Sequence, residues 1–149
     1  SELSKIINLA AKKLNKSIIQ DSSDEIAKRS RGTPRIALRL LKRIRDFSEY
    51  YNEDSISLDI TLKALNELRV DENGFDELDL AFLDLLVKAR GKPLGLSTIS
   101  ASLSEDERTI EDVIEPYLLA NSYVERTPKG RIATKKTYDL LGIASDNLF

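Results

Sequence analysis

The sequence predicts a mainly α chain of two small modules, the second ending in a β-hairpin. Three observations carry this: apolar residues recur at helical spacing along most of the chain, the charge balance reverses near residue 71, and only the stretch from Ser122 to Thr134 reads as two short strands around a turn. With 149 residues, 41% of them apolar and 32% charged, the chain can fold without being able to live in a bilayer. No apolar run exceeds four residues, whereas a spanning helix needs ~20, so a cytoplasmic protein is expected.

In the first module, Leu3, Ile6, Ile7, Ala10 and Leu14 form one face of an amphipathic helix. Ser22 or Ser23 offers an N-cap for a short helix from Asp24 to about Arg29, which Gly32 ends in a left-handed conformation. Thr33 and Pro34 restart the chain with a cap residue and a proline at the first helical position, where its missing N–H costs nothing. Ile36, Ala37, Leu40, Leu41, Ile44, Phe47 and Tyr51 continue that helix, and Ser57 caps a fourth carrying Leu62, Leu65 and Leu68. The module then has four helices and no sheet. The acidic, glycine-containing stretch Asp71 to Gly74 sets the division: a helical domain over 1–70, a short linker over 71–76 that allows relative motion, and a second domain over 77–149.

The second module opens with a helix from about Asp76 to Ala89, with Phe75, Phe82, Leu83 and Leu86 facing inward, broken by the segment Gly91 to Gly95. Ser97 and Ser104 are placed to cap two further helices, the latter reaching about Asn121. Strands from Ser122 to Arg126 and Arg131 to Thr134 flank Thr127-Pro128-Lys129-Gly130, whose proline and glycine suit a type I turn. Three helices followed by a hairpin is the element order of a winged helix.

Composition narrows the chemistry. With no Cys and no His there is no disulfide, thiol nucleophile, imidazole base or soft metal ligand, and no metal site is expected. No phosphate-binding glycine loop occurs, so the chain cannot cradle a nucleotide alone. Residues 1–70 carry 14 basic against 10 acidic side chains, and 71–149 carry 9 against 15. From Lys28 to Arg45 there are eight basic residues and no acid, which either meet phosphate or coat a solvated helix. The start of the third helix, Gly32 to Ala37, presents free N–H groups, a positive dipole end and Arg35; it is either an ordinary capped terminus or a phosphate site.

Five strings settle what these features resemble: RSRGTPRIA from Arg29 to Ala37, RLLKRIRDF from Arg39 to Phe47, DENGFD from Asp71 to Asp76, TIEDVIEPYL from Thr109 to Leu118, and RTPKGRIAT from Arg126 to Thr134. In this order they resemble the C-terminal half of the RuvB family, bacterial Holliday-junction branch-migration ATPases of the AAA+ class. Leu38, between the first two strings, stands where an Asn is expected and Phe75, within the third, where a Leu is expected; neither is a candidate site residue.

The resemblance implies an AAA+ lid followed by a winged helix, from a hexameric helicase that uses ATP and Mg2+ to drive the duplex arms of Holliday junctions in recombination, repair and the SOS response. It implies RuvA, bound through an ATPase domain these residues do not contain, and RuvC as partners. Arg35 falls on the sensor 2 arginine, with Thr33, Pro34, Arg35 and Ile36 at the nucleotide, while no cofactor and no ATPase activity are expected of this chain alone. For DNA, the residues themselves favour the wing. Asp106, Glu107, Glu111, Asp112 and Glu115 against Arg108 make the third helix repellent to phosphate, whereas Arg126, Lys129 and Arg131 are expected to project together from the hairpin tip. The rival reading is a free-standing winged-helix regulator or protein-interaction adaptor, which has no use for Arg35. Ser1 opening into a helix, with no Met anywhere, suggests a piece of a longer chain.

Overall fold

The computed structural model describes all residues from Ser1 to Phe149, and the chain divides into two compact units, Ser1–Asp76 and Glu77–Phe149. In the first unit, α1 (Glu2–Lys13) is capped by Ser1, whose Oγ accepts from the Ser4 backbone N–H. It buries Ile7 and Ala11, with Leu3, Ala10 and Leu14 packed beside them, whereas Ile6 is exposed. The helix α2 (Gln20–Lys28) starts four residues before the expected Asp24, and Ile19 holds its N-terminus with the backbone carbonyl alone. Ser22 and Ser23 therefore lie inside the helix and are fully buried, and the Ser23 hydroxyl donates to Asn8 Oδ1 of α1.

Left-handed backbone appears where expected, but over two residues: Arg31 (φ +56°) and Gly32 (φ +69°) turn the chain into α3 (Pro34–Tyr50). Ala37, Leu40, Leu41, Ile44 and Ser48 bury one stripe of α3, leaving Arg35, Arg39, Lys42 and Arg43 exposed on its other side. Ser57 caps α4 (Leu58–Glu67) as its spacing predicts, its Oγ accepting from Ile60 N–H at 3.2 Å. The expectation of no sheet is corrected. Strands β1 (Ser17–Ile18) and β2 (Ser55–Ile56) pair in parallel, placing Ile56 in the core with Ile7, Ile26, Leu41, Ile44 and Leu65. Two-residue strands are too short to show a period of two in sequence.

The stretch expected to be a linker is an ordered turn within this unit. The Asp71 carboxylate accepts from Asn73 and Phe75 N–H at 2.9 and 2.8 Å. Gly74 (φ +82°) lies so close to the end of α2 that a Cβ there would stand 2.5 Å from the Arg29 carbonyl oxygen.

The second unit is a winged helix. Its first helix, α5 (Glu77–Lys88), buries Phe82, Leu83, Leu86 and Val87. The next, α6 (Leu96–Leu103), begins at Gly95 rather than being capped by Ser97. Ser104 ends α6 in a left-handed conformation (φ +55°) instead of capping the next helix, and Asp106 precedes α7 (Glu107–Thr109). One continuous helical run then passes through a π-helical segment, Ile110–Ile114, into α8 (Glu115–Ala120). Pro116 supplies the reason: it has no N–H to offer the Asp112 carbonyl and its ring would press on that oxygen, so the backbone opens by one residue.

The hairpin comes next as β3 (Val124–Thr127) and β4 (Gly130–Ala133), antiparallel, with Arg126 opposite Arg131. Leu94 adds a third rung beside β4, its N–H donating to Arg131 O at 3.0 Å and its carbonyl accepting from Arg131 N–H at 2.7 Å. A final helix, α9 (Lys135–Leu141), was not expected; it seals the core with Tyr138, fully buried, whose hydroxyl reaches Val87 O.

Candidate nucleic-acid interface

The wing tip is built by local hydrogen bonds. Thr127 Oγ1 donates to Gly130 O at 2.8 Å and accepts from Lys129 N–H at 3.2 Å, so Pro128 and Lys129 form the exposed apex. Gly130 is required there: its φ is +140°, and a Cβ would come within 2.6 Å of the Leu94 backbone. Closing the hairpin this tightly sets Arg126 and Arg131 on the same face, directly opposite one another. Two like charges so placed repel.

Glu115 relieves that repulsion. Its side chain is 0% exposed, and its Oε1 accepts from Arg126 Nη2 at 2.9 Å while Oε2 accepts from Arg131 Nε at 2.8 Å. A second bond from Arg131 Nη2 to Oε1, at 3.1 Å, makes the Arg131 contact bidentate. Burial pushes the Glu115 carboxyl towards the neutral form, but the hydrogen bonds and charges of Arg131 and Arg126 outweigh it and hold its pKa below 4.5. The Glu115 hydrogen bond correspondingly raises the Arg131 pKa against the opposing effect of burial.

Two expectations are thereby corrected. Glu115 does not belong to the exposed acidic face, where Asp106, Glu107, Glu111 and Asp112 remain. Arg131 does not project from the tip: its side chain is 14% exposed, against 49% for Arg126. Lys129 alone stands at the apex without a carboxylate partner. The role of Glu115 was legible in principle, because it interrupts the buried apolar positions Ile110, Ile114 and Leu118, and because Arg126 and Arg131 sit symmetrically about the turn.

In the first unit, Arg35 lies exposed in the first turn of α3, beside exposed Pro34 and half-buried Thr33 and Ile36. The Thr33 hydroxyl bonds back to Arg31 O and leaves the helix N–H groups uncapped. Nearby Arg29 is committed elsewhere, donating from Nε and Nη2 to Glu25 Oε1 and from Nη1 to Val70 O, so Arg35 is the cation this turn offers to solvent.

Two family descriptions match the chain almost end to end. Residues 1–71 match the RuvB AAA lid domain and residues 72–142 the RuvB C-terminal winged helix domain. The chain belongs to the RuvB family. The Holliday junction branch migration complex subunit RuvB of Helicobacter pylori is 67% identical over 147 residues, which are 99% of this chain and 44% of that protein. The RuvB subunit of Nitratiruptor is 67% identical over 140 residues, 94% of this chain and 42% of its own length. The chain thus spans less than half the length of the RuvB relatives it matches. Among solved structures, the Thermotoga maritima RuvB Holliday junction branch migration motor superimposes with a TM-score of 0.84 at 44% identity, over 96% of this chain and 48% of that one.

Proposed function

We propose that this chain is the lid and DNA-touching portion of an ATP-driven motor for Holliday-junction branch migration. One observation carries the reading: a single chain pairs an uncapped helix start bearing a solvent-facing Arg35 with a wing whose apex offers Lys129 and Arg126. In a protein that also holds the family's ATPase domain, Arg35 reaches the phosphates of Mg2+-bound ATP, with Thr33, Pro34 and Ile36 shaping the turn. The uncapped N–H groups and helix dipole of α3 reinforce the attraction. RuvA and RuvC as partners, a hexameric ring and a bacterial cytoplasmic setting complete the proposal; no helix is long and apolar enough to cross a membrane.

On the DNA side, Lys129 and the exposed edge of Arg126 contact phosphates, while Arg131 supports them from behind. Contact with phosphates alone suits a motor that must pass any sequence. Two neutralised phosphates give a log–log salt slope of about −1.8 and weak binding by a single chain, made useful when several copies act together. Fluorescence anisotropy with a labelled duplex of arbitrary sequence tests this at low salt. The Arg126/Lys129→Gln variant is expected to lose binding, and Glu111/Asp112→Asn to retain or strengthen it. Unchanged binding by the first variant would reject the wing as the contact surface.

A further inference from the structure

We infer that Glu115 is a positioning residue for DNA contact: it absorbs the charge of Arg131 and orients Arg126, so that the wing meets DNA as a two-cation rather than a three-cation surface. This rests on the proposed wing contact. The geometry behind it is specific. Arg126 and Arg131 are cross-strand partners one rung from the turn, and a single fully buried carboxylate reaches both. Arg131 spends its Nε and Nη2 on Glu115 and its backbone N–H and carbonyl on Leu94. Arg126 gives Glu115 one Nη2 hydrogen bond, keeping its remaining donors for solvent or phosphate.

No other carboxylate hydrogen-bonds Arg131 or Arg126, although Glu111 and Glu107 also attract Arg131 at longer range. On the same helical run, Glu107, Glu111 and Asp112 are exposed, and Asp112 lies 3.5 Å from Arg108. Glu125, the strand neighbour of Arg126, is exposed and pairs in register with Ile132, which puts it on the opposite face of the hairpin. The depressed pKa of Glu115 keeps it charged at neutral pH, as the role requires.

The test is the salt dependence of binding between this chain and a labelled duplex of arbitrary sequence, monitored by anisotropy, with each variant's fold checked by circular dichroism. Each effective cation contributes about −0.9 to the log–log slope, or about a 3.5-fold change in affinity between 50 and 200 mM salt. Wild type is expected near about −1.8. Glu115→Gln, which keeps the shape and removes the charge, should steepen the slope to about −2.7 and bind more tightly at low salt. Arg131→Gln leaves Glu115 to claim Arg126 entirely and should flatten it to about −0.9.

The deciding variant is Glu115→Gln/Arg131→Gln, in which a neutral pair replaces the charged one and the wild-type slope should return. If Arg131 instead touches phosphate itself, the double variant stays shallower than wild type by about 0.9, and the inference is overturned. It is equally overturned if Glu115→Gln loses affinity with no steepening, the mark of a purely structural role. Should Arg131→Gln fail to fold, the comparison of the double variant with wild type still decides. Binding indifferent to Arg126/Lys129→Gln would reject the wing contact itself, a distinguishable failure.

Discussion

Glu115, Arg131 and Arg126 show how one ion cluster assigns unequal roles to similar side chains. Arg131 is largely enclosed and bidentate to a carboxylate shielded from solvent, so Arg131→Ala leaves an undercompensated buried charge and is expected to cost about 3 kcal/mol. Arg126 is half exposed and makes one contact, so Arg126→Ala should cost less than ~1 kcal/mol. Urea denaturation of the two variants, side by side, measures the difference; equal losses would contradict the asymmetry. The cluster also predicts an acid limb. Because the folded-state pKa of Glu115 lies below its ordinary value of 4.5, its contribution is complete above that pH and is lost as pH falls through the lower folded value. Glu115→Gln should be less stable than wild type at neutral pH, and the gap should narrow as the pH falls below 4.5 when urea midpoints are compared.

At the level of elements, the helices whose termini carry ordinary cap chemistry are the ones whose sequence reading held. Ser57 before α4, and Thr33-Pro34 before α3, mark real starts, although Thr33 supplies extended backbone rather than a side-chain cap. Ser22, Ser23, Ser97 and Ser104 have the same composition and do not cap, since serine is also a small residue that packs between helices or accepts a left-handed turn. Packing decided among those uses. The wing depends on its glycine: Gly130→Ala would force a side chain against Leu94 in backbone space that L residues rarely enter. Its expected cost is about 2 kcal/mol or more, with loss of the Leu94 to Arg131 rung. Hydrogen exchange at the Arg131 and Leu94 amides reads both, and unchanged protection would show that the turn adapts.

For the molecule as a whole, the proposed role of Arg35 is to tie the first unit to the nucleotide. The chain by itself is expected to release no phosphate from ATP, whereas Arg35→Ala in a RuvB chain that includes the ATPase domain should lower turnover about tenfold or more, as loss of a charge-assisted phosphate contact would. Wild-type turnover by that variant in a phosphate-release assay would remove Arg35 from the nucleotide. The sequence alone determined the mainly helical class, the winged-helix element order and the family. Those features rest on local periodicity, turn residues and contiguous strings, which need no knowledge of distant neighbours. Tertiary structure decided the two-residue β1 and β2 pairing, the π segment at Ile110–Ile114, the sealing helix α9 and above all the partition of the wing's cations. A strand pair of two residues exists only because residues 17 and 55 are brought together by the packing of α1 to α4. An arginine's availability depends on whether a carboxylate sixteen residues away is buried against it, and no spacing rule along the chain records that burial.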